Sequence, residues 1–95
     1  MNDAQKKELY QKAMMHFGYK NQLLKAVEEM SEFSQAIIKD VLRNECEYDS
    51  NFLEEYADSC IMLEQVYITF SVEEKEQIFK ISDRKLERLK GKINE

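Results

Sequence analysis

Two segments of this chain place carboxylates at helical spacing: Glu28-Glu29-Met30-Ser31-Glu32 and Glu54-Glu55-Tyr56-Ala57-Asp58. If each segment is helical, Glu29 and Glu32 share one side of the first helix. Glu55 and Asp58 then share one side of the second. Two such helices facing each other would bring four carboxylates together. Like charges at that density are strongly unfavourable without a cation to neutralise them. The arrangement reads as a divalent-metal site. A hard, oxygen-seeking ion such as Mg²⁺ suits it best, with Mn²⁺ as a substitute.

These motifs need helices to hold them, and the chain is rich in helix signals. It has 95 residues, no proline, and glycine only at Gly18 and Gly91. So few breakers predict long helices and an all-α fold in one domain spanning residues 1–95. A first helix is expected from Asp3, as its N-cap, to Phe17, and Gly18 breaks it. A second is expected from Tyr19 or Asn21 to Arg43. Its stripe of Leu23, Val27, Met30, Ser34, Ile37, Ile38 and Val41 has amphipathic spacing and marks the expected core face. Residues 44–50 are polar and read as a loop, with Asp49 or Ser50 capping a third helix that runs to about Phe70. Ser71-Val72-Glu73-Glu74 matches a capping box and starts a fourth helix. Ile78, Ile81, Leu86, Leu89 and Ile93 form the apolar stripe of that helix.

The third helix carries the stronger of the two motifs. Leu53, Tyr56, Cys60, Ile61, Leu63 and Tyr67 cover one broad side, and Met62, Val66 and Phe70 extend onto the other. A helix apolar nearly all round is expected to be buried all round. Four helices of one copy can hardly do this, so a partner subunit is expected. Glu55 and Asp58 then lie on an enclosed helix, and no lysine or arginine occurs between Glu54 and Glu74. A buried carboxylate must be protonated, paired with a base or bound to a metal. Metal binding is the economical solution, whereas Glu29 and Glu32 alone would pass for a solvated face.

Charge and composition narrow the function classes. Net charge is −5, with 43% hydrophobic and 35% charged residues. That balance is globular and disfavours a dedicated nucleic-acid binder. No apolar run approaches membrane-spanning length, and no apolar signal core begins the chain. Cys46 and Cys60 form no Cys-x-x-Cys pair and read as free thiols in a reducing cytoplasm. Residues 80–95 carry a net +3, which leaves −8 on residues 1–79. Within that basic end, Lys85 falls inside the apolar stripe and Arg88 lies one turn on. Lys85 can snorkel to solvent, or with Arg88 it can clamp a polyphosphate. His16 is the only histidine, which argues against a di-iron bundle built on Glu-x-x-His motifs.

Together these residues resemble the MazG-like, all-α nucleoside triphosphate pyrophosphohydrolases, a superfamily that includes dimeric deoxyuridine triphosphatases and deoxycytidine triphosphate pyrophosphatases. The resemblance rests on Glu28-Glu29-Met30-Ser31-Glu32 followed by Glu55-Tyr56-Ala57-Asp58 at the family's interval. Gln22-Leu23, Ile61-Met62-Leu63-Glu64-Gln65 and Lys85-Leu86-Glu87-Arg88-Leu89 extend it. It implies a four-helix bundle completed by self-association as a dimer or tetramer. It implies that Glu29, Glu32, Glu55 and Asp58 coordinate Mg²⁺, and that a nucleoside triphosphate is split to monophosphate and pyrophosphate. Glu32 or Glu28 would orient the attacking water, Lys85 and Arg88 would hold phosphate oxygens, and Gln22 would contact the base. Phe17, Tyr19 and Phe33 are aromatic candidates for gripping the base. Ser31 stands where the family often has glycine. The competing expectation is a non-enzymatic helical interaction module of the same fold.

Overall fold

The computed structural model describes residues 1–43 and 48–94. They form four α-helices and no strand: α1 (Asp3–Phe17), α2 (Tyr19–Arg43), α3 (Ser50–Tyr67) and α4 (Val72–Ile93). The expected loop at residues 44–47 and the Cys46 thiol lie outside the described residues. Cys60 is a free thiol.

Local side-chain chemistry sets the helix ends. Asn2, not Asp3, caps α1. Its side chain accepts from the Gln5 N–H at 2.8 Å, and the Gln5 side chain accepts from the Asn2 N–H at 2.9 Å. This reciprocal box needs a Gln or Glu three residues after the cap, which Asn2 has and Asp3 lacks. Gly18 joins α1 to α2 at φ +92°, a backbone conformation that L side chains rarely adopt. Its N–H still donates to the Met14 carbonyl and its own carbonyl accepts from the Gln22 N–H. Asp49 caps α3 through the Phe52 N–H, and Ser71 and Glu74 form the expected box at the start of α4.

The centre of the fold is the α2/α3 pair. Gln22, Ala26, Glu29, Ala36 and Asp40 are buried on α2, and Ser59, Met62 and Gln65 on α3. Small residues let the two backbones approach. The Ser59 hydroxyl donates to the Glu29 carbonyl at 3.2 Å. At one end the Gln22 amide donates to Gln65 Oε1 at 2.8 Å. Further along, Phe33 packs edge-on against Phe52 and Tyr56, with centroids 5.3 and 5.6 Å away. From α1, buried Tyr10 donates a short hydrogen bond to Glu64. That bond to an anionic acceptor, with burial and the Glu64 charge, pushes the phenol up to about 12.

Two expectations about packing are corrected. The apolar stripe of α2 does not face the core of its own chain: Val27 is 59% exposed and Val41 67%. The neighbouring face of the helix packs instead, because its alanines and hydrogen-bonding side chains match those of α3. As expected, one copy does not enclose α3: Leu53, Tyr56, Ile61 and Leu63 are exposed. The largest departure is α4. Beyond Ile78 every described residue of α4 is exposed, Phe79 at 74% and Leu86 at 62% among them. The radius of gyration is accordingly 16.4 Å, against about 12 Å for a compact chain of this length. Among the described residues no helix is long and apolar enough to cross a membrane.

Candidate metal centre

Helical register and the α2/α3 crossing together build one acidic cluster. Glu29 and Glu32 stand one turn apart on α2, and Glu55 projects from α3. One carboxylate oxygen from each lies within 4.8 Å of the other two. The hydrogen bond from Ser59 to the Glu29 carbonyl pins α3 against α2 one turn from Glu55. Glu29 is buried; Glu32 and Glu55 are half-buried.

The charges in this cluster are only partly met. Lys25 approaches Glu29 Oε1 at 3.0 Å and Glu28 at 3.6 Å. Its ammonium is held above the usual range, first by the hydrogen bond to Glu29 and then by the Glu28 charge. The second oxygens are different: Glu29 Oε2 and Glu55 Oε2 are buried and have no hydrogen-bond partner among the described residues. A buried carboxylate oxygen without a donor is costly. The Glu29 charge, with burial and the Glu55 charge behind it, pushes the Glu32 carboxyl above the ordinary carboxylate range. Three clustered carboxylates, two of which carry a buried oxygen without a partner among the described residues, fit a hard divalent cation.

The residues singled out in the sequence divide in place. Glu29, Glu32 and Glu55 come together. Asp58, one turn beyond Glu55, is exposed and lies outside the 4.8 Å group. Glu28 is exposed on α2, its carboxylate turned to Lys25. Gln22 is buried with its amide engaged by Gln65. Lys85 and Arg88 are exposed on the projecting part of α4. His16 and Phe17 stack edge-on, and Phe17 and Tyr19 are exposed. Phe33 does line the neighbourhood: with Phe52 and Tyr56 it makes an aromatic wall beside Glu32 and Glu55 in sequence. Lys25 escaped the sequence reading, although its spacing of four residues to Glu29 was a usable signal.

The raised Glu32 carboxyl has a consequence for stability. The native state holds this proton in a pH window where the unfolded chain has released it. Stability of the metal-free protein should therefore fall as pH rises through that window, from mildly acidic toward neutral. Asp49 acts in the opposite sense and at lower pH. The Phe52 N–H and Arg43 hold its carboxyl below the usual range, so its contribution is lost only in stronger acid. A cation bound at the cluster would reverse the first trend, because metal and proton would compete for one oxygen set. Thermal melts at a series of pH values, with and without Mg²⁺, measure both slopes.

Compared with known proteins, the chain matches no protein-family model, no curated protein and no solved structure.

Proposed function

We propose that this chain is a Mg²⁺-dependent nucleotide pyrophosphohydrolase that converts a nucleoside triphosphate to its monophosphate and pyrophosphate. The observation that carries the reading is the pair of buried, partnerless carboxylate oxygens on Glu29 and Glu55, gathered with Glu32. The reaction itself comes from the resemblance of the two acidic motifs to MazG-like enzymes. When bound, the cation would polarise a phosphoryl oxygen and lower the pKa of a water. Glu29, Glu32 and Glu55 hold it in this reading, and Asp58 is assigned as the fourth carboxylate. Glu32 or the neighbouring Glu28 is assigned to orient or deprotonate the attacking water. Phe33, Phe52 and Tyr56 offer ring faces for a base to stack on. Lys85 and Arg88 are assigned to phosphate oxygens. The amide of Gln22 is already spent on Gln65, so its part is to hold α2 against α3.

The unburied apolar surface of α2 and α4 favours a second reading, a helical interaction module without catalysis. One panel separates the two. Canonical and modified nucleoside triphosphates are incubated with the protein and Mg²⁺, and pyrophosphate is measured. Release above that of a Glu55→Gln control supports the hydrolase. No release from any substrate, with no Mg²⁺- or Mn²⁺-dependent rise in melting temperature, leaves the interaction module.

A further inference from the structure

Away from the carboxylate cluster, α1, α3 and the start of α4 line a groove of about 580 Å³. Small-molecule sites span about 300–1,000 Å³, so the groove has the right size for one. Helical register builds it. Asp3, Lys6, Lys7 and Tyr10 recur at intervals of three and four residues, so α1 turns one face to the groove. Leu63, Glu64, Tyr67 and Ile68 do the same at the C-terminal end of α3. Lys75 joins them from early in α4. Glu64 follows Glu55 by nine residues, about 14 Å along α3, so the groove and the carboxylate cluster are separate places.

Two chemistries meet there. One wall is apolar, made by Leu63, Ile68 and the rings of Tyr10 and Tyr67; the border carries the ammonium groups of Lys6, Lys7 and Lys75. Lysines beside an apolar wall ordinarily lay their stems on it and send their heads to water. Here the stems leave the wall uncovered, since Leu63 is 52% exposed and Tyr67 48%. The nearby acids do not neutralise the lysines. Glu64 accepts from the Tyr10 hydroxyl. Among the described residues none of the three lysines, nor Asp3, forms an ion pair. The Lys75 ammonium lies 5.1 Å from the centre of the Tyr67 ring, a weak hold at an exposed site. Three lysines against Asp3 and Glu64 leave the groove net +1, on a chain of net −5.

We infer that this groove binds a small organic anion. Its apolar body lies along Tyr10, Leu63, Tyr67 and Ile68, and its carboxylate or phosphate head is held by Lys6, Lys7 and Lys75. Such a ligand touches three helices at once, so it ties the start of α4 to α1 and α3. The site needs no metal and no hydrolysis, and it stands apart from the proposed reaction.

Amide chemical-shift titration of the full chain tests this with naphthyl phosphate, naphthoate, the neutral naphthyl methanol and inorganic phosphate. The aromatic anions should shift the amides of Lys6, Lys7, Leu63, Tyr67 and Lys75 to saturation. Binding of either supports the inference, and the tighter of the two names the head group. The neutral alcohol should bind about tenfold or more weakly than the better anion, because three exposed charge contacts are lost. Inorganic phosphate should also bind more weakly, because it leaves the wall bare. Lys6→Gln and Lys75→Gln should each weaken the better anion by about two- to fivefold and leave the alcohol unchanged. The inference is overturned if neither anion saturates these amides, if the alcohol or inorganic phosphate binds as tightly as the anions, or if the shifts centre on other residues. The same amides moving with protein concentration, without any probe, would give the groove to a second copy and overturn it too. None of these readouts uses pyrophosphate release, so the hydrolase reading stands or falls separately.

Discussion

Glu55→Gln should raise the melting temperature of the metal-free protein by a few degrees while it removes the response to Mg²⁺. The substitution deletes one of three clustered negative charges and leaves the shape of the side chain. Repulsion within the cluster falls, so the apo protein gains. In the proposed site the cation would lose the ligand contributed by α3, so the site would no longer bridge the two helices. Outer-shell substitutions around metals already cost about ten- to a hundredfold, and a direct ligand should cost at least as much in pyrophosphate release. The opposite signs are the test. A metal site trades apo stability for binding, whereas a structural carboxylate trades nothing. A Glu55→Gln protein that melts lower, and that Mg²⁺ stabilises as strongly as the parent, would show that the cluster is not a cation site. Lys25→Met makes a useful partner, since it strips Glu29 Oε1 of its ammonium. It should lower the apo melting temperature and steepen the gain on adding Mg²⁺.

Met62→Ala should be the most damaging single truncation. Among the described residues, Tyr10, Ala26, Ala36 and Met62 are the only apolar side chains that are buried. Met62 is the largest aliphatic one among them and lies in the α2/α3 contact that carries Ser59 and Gln65. Its removal should cost about 2–5 kcal/mol. Small domains have only about 5–15 kcal/mol in total. Urea unfolding followed by circular dichroism should register the loss, and Met62→Leu should cost less than about 1.5 kcal/mol. A Met62→Ala loss below about 0.5 kcal/mol, within the cost of an ordinary surface change, would mean that the α2/α3 contact is not what holds the chain. The carboxylate cluster depends on the same contact, since Glu55 reaches Glu29 and Glu32 only across it.

Helix ends were the most legible feature. Gly18, Asp49 and Ser71 act through their immediate neighbours, and each does what its local chemistry requires. The α1 cap lies one residue before Asp3, because Asn2 has Gln5 three residues on and Asp3 has no such partner. Half of the cluster was equally legible. Glu29 and Glu32 are one turn apart on any helix, whatever surrounds it. The other half depended on placement. Glu55 joins them because Ser59 and Met62 seat α3 on α2, while Asp58, at equally good spacing, stays exposed.

Sequence alone determined the four helices, the two acidic motifs, the basic final segment and the wide apolar surface of α3. These follow from interactions within a few residues or from composition. Tertiary structure alone decided which face of α2 turns inward. Its apolar stripe would have suited a core, yet the face bearing Gln22, Ala26, Glu29 and Ala36 was taken by α3. Periodicity marks a stripe as apolar without saying what covers it. The choice rests on fits such as Gln22 to Gln65, made across 43 residues of chain. That same choice buries Glu29 beside Glu55, and leaves the apolar stripes of α2 and α4 exposed.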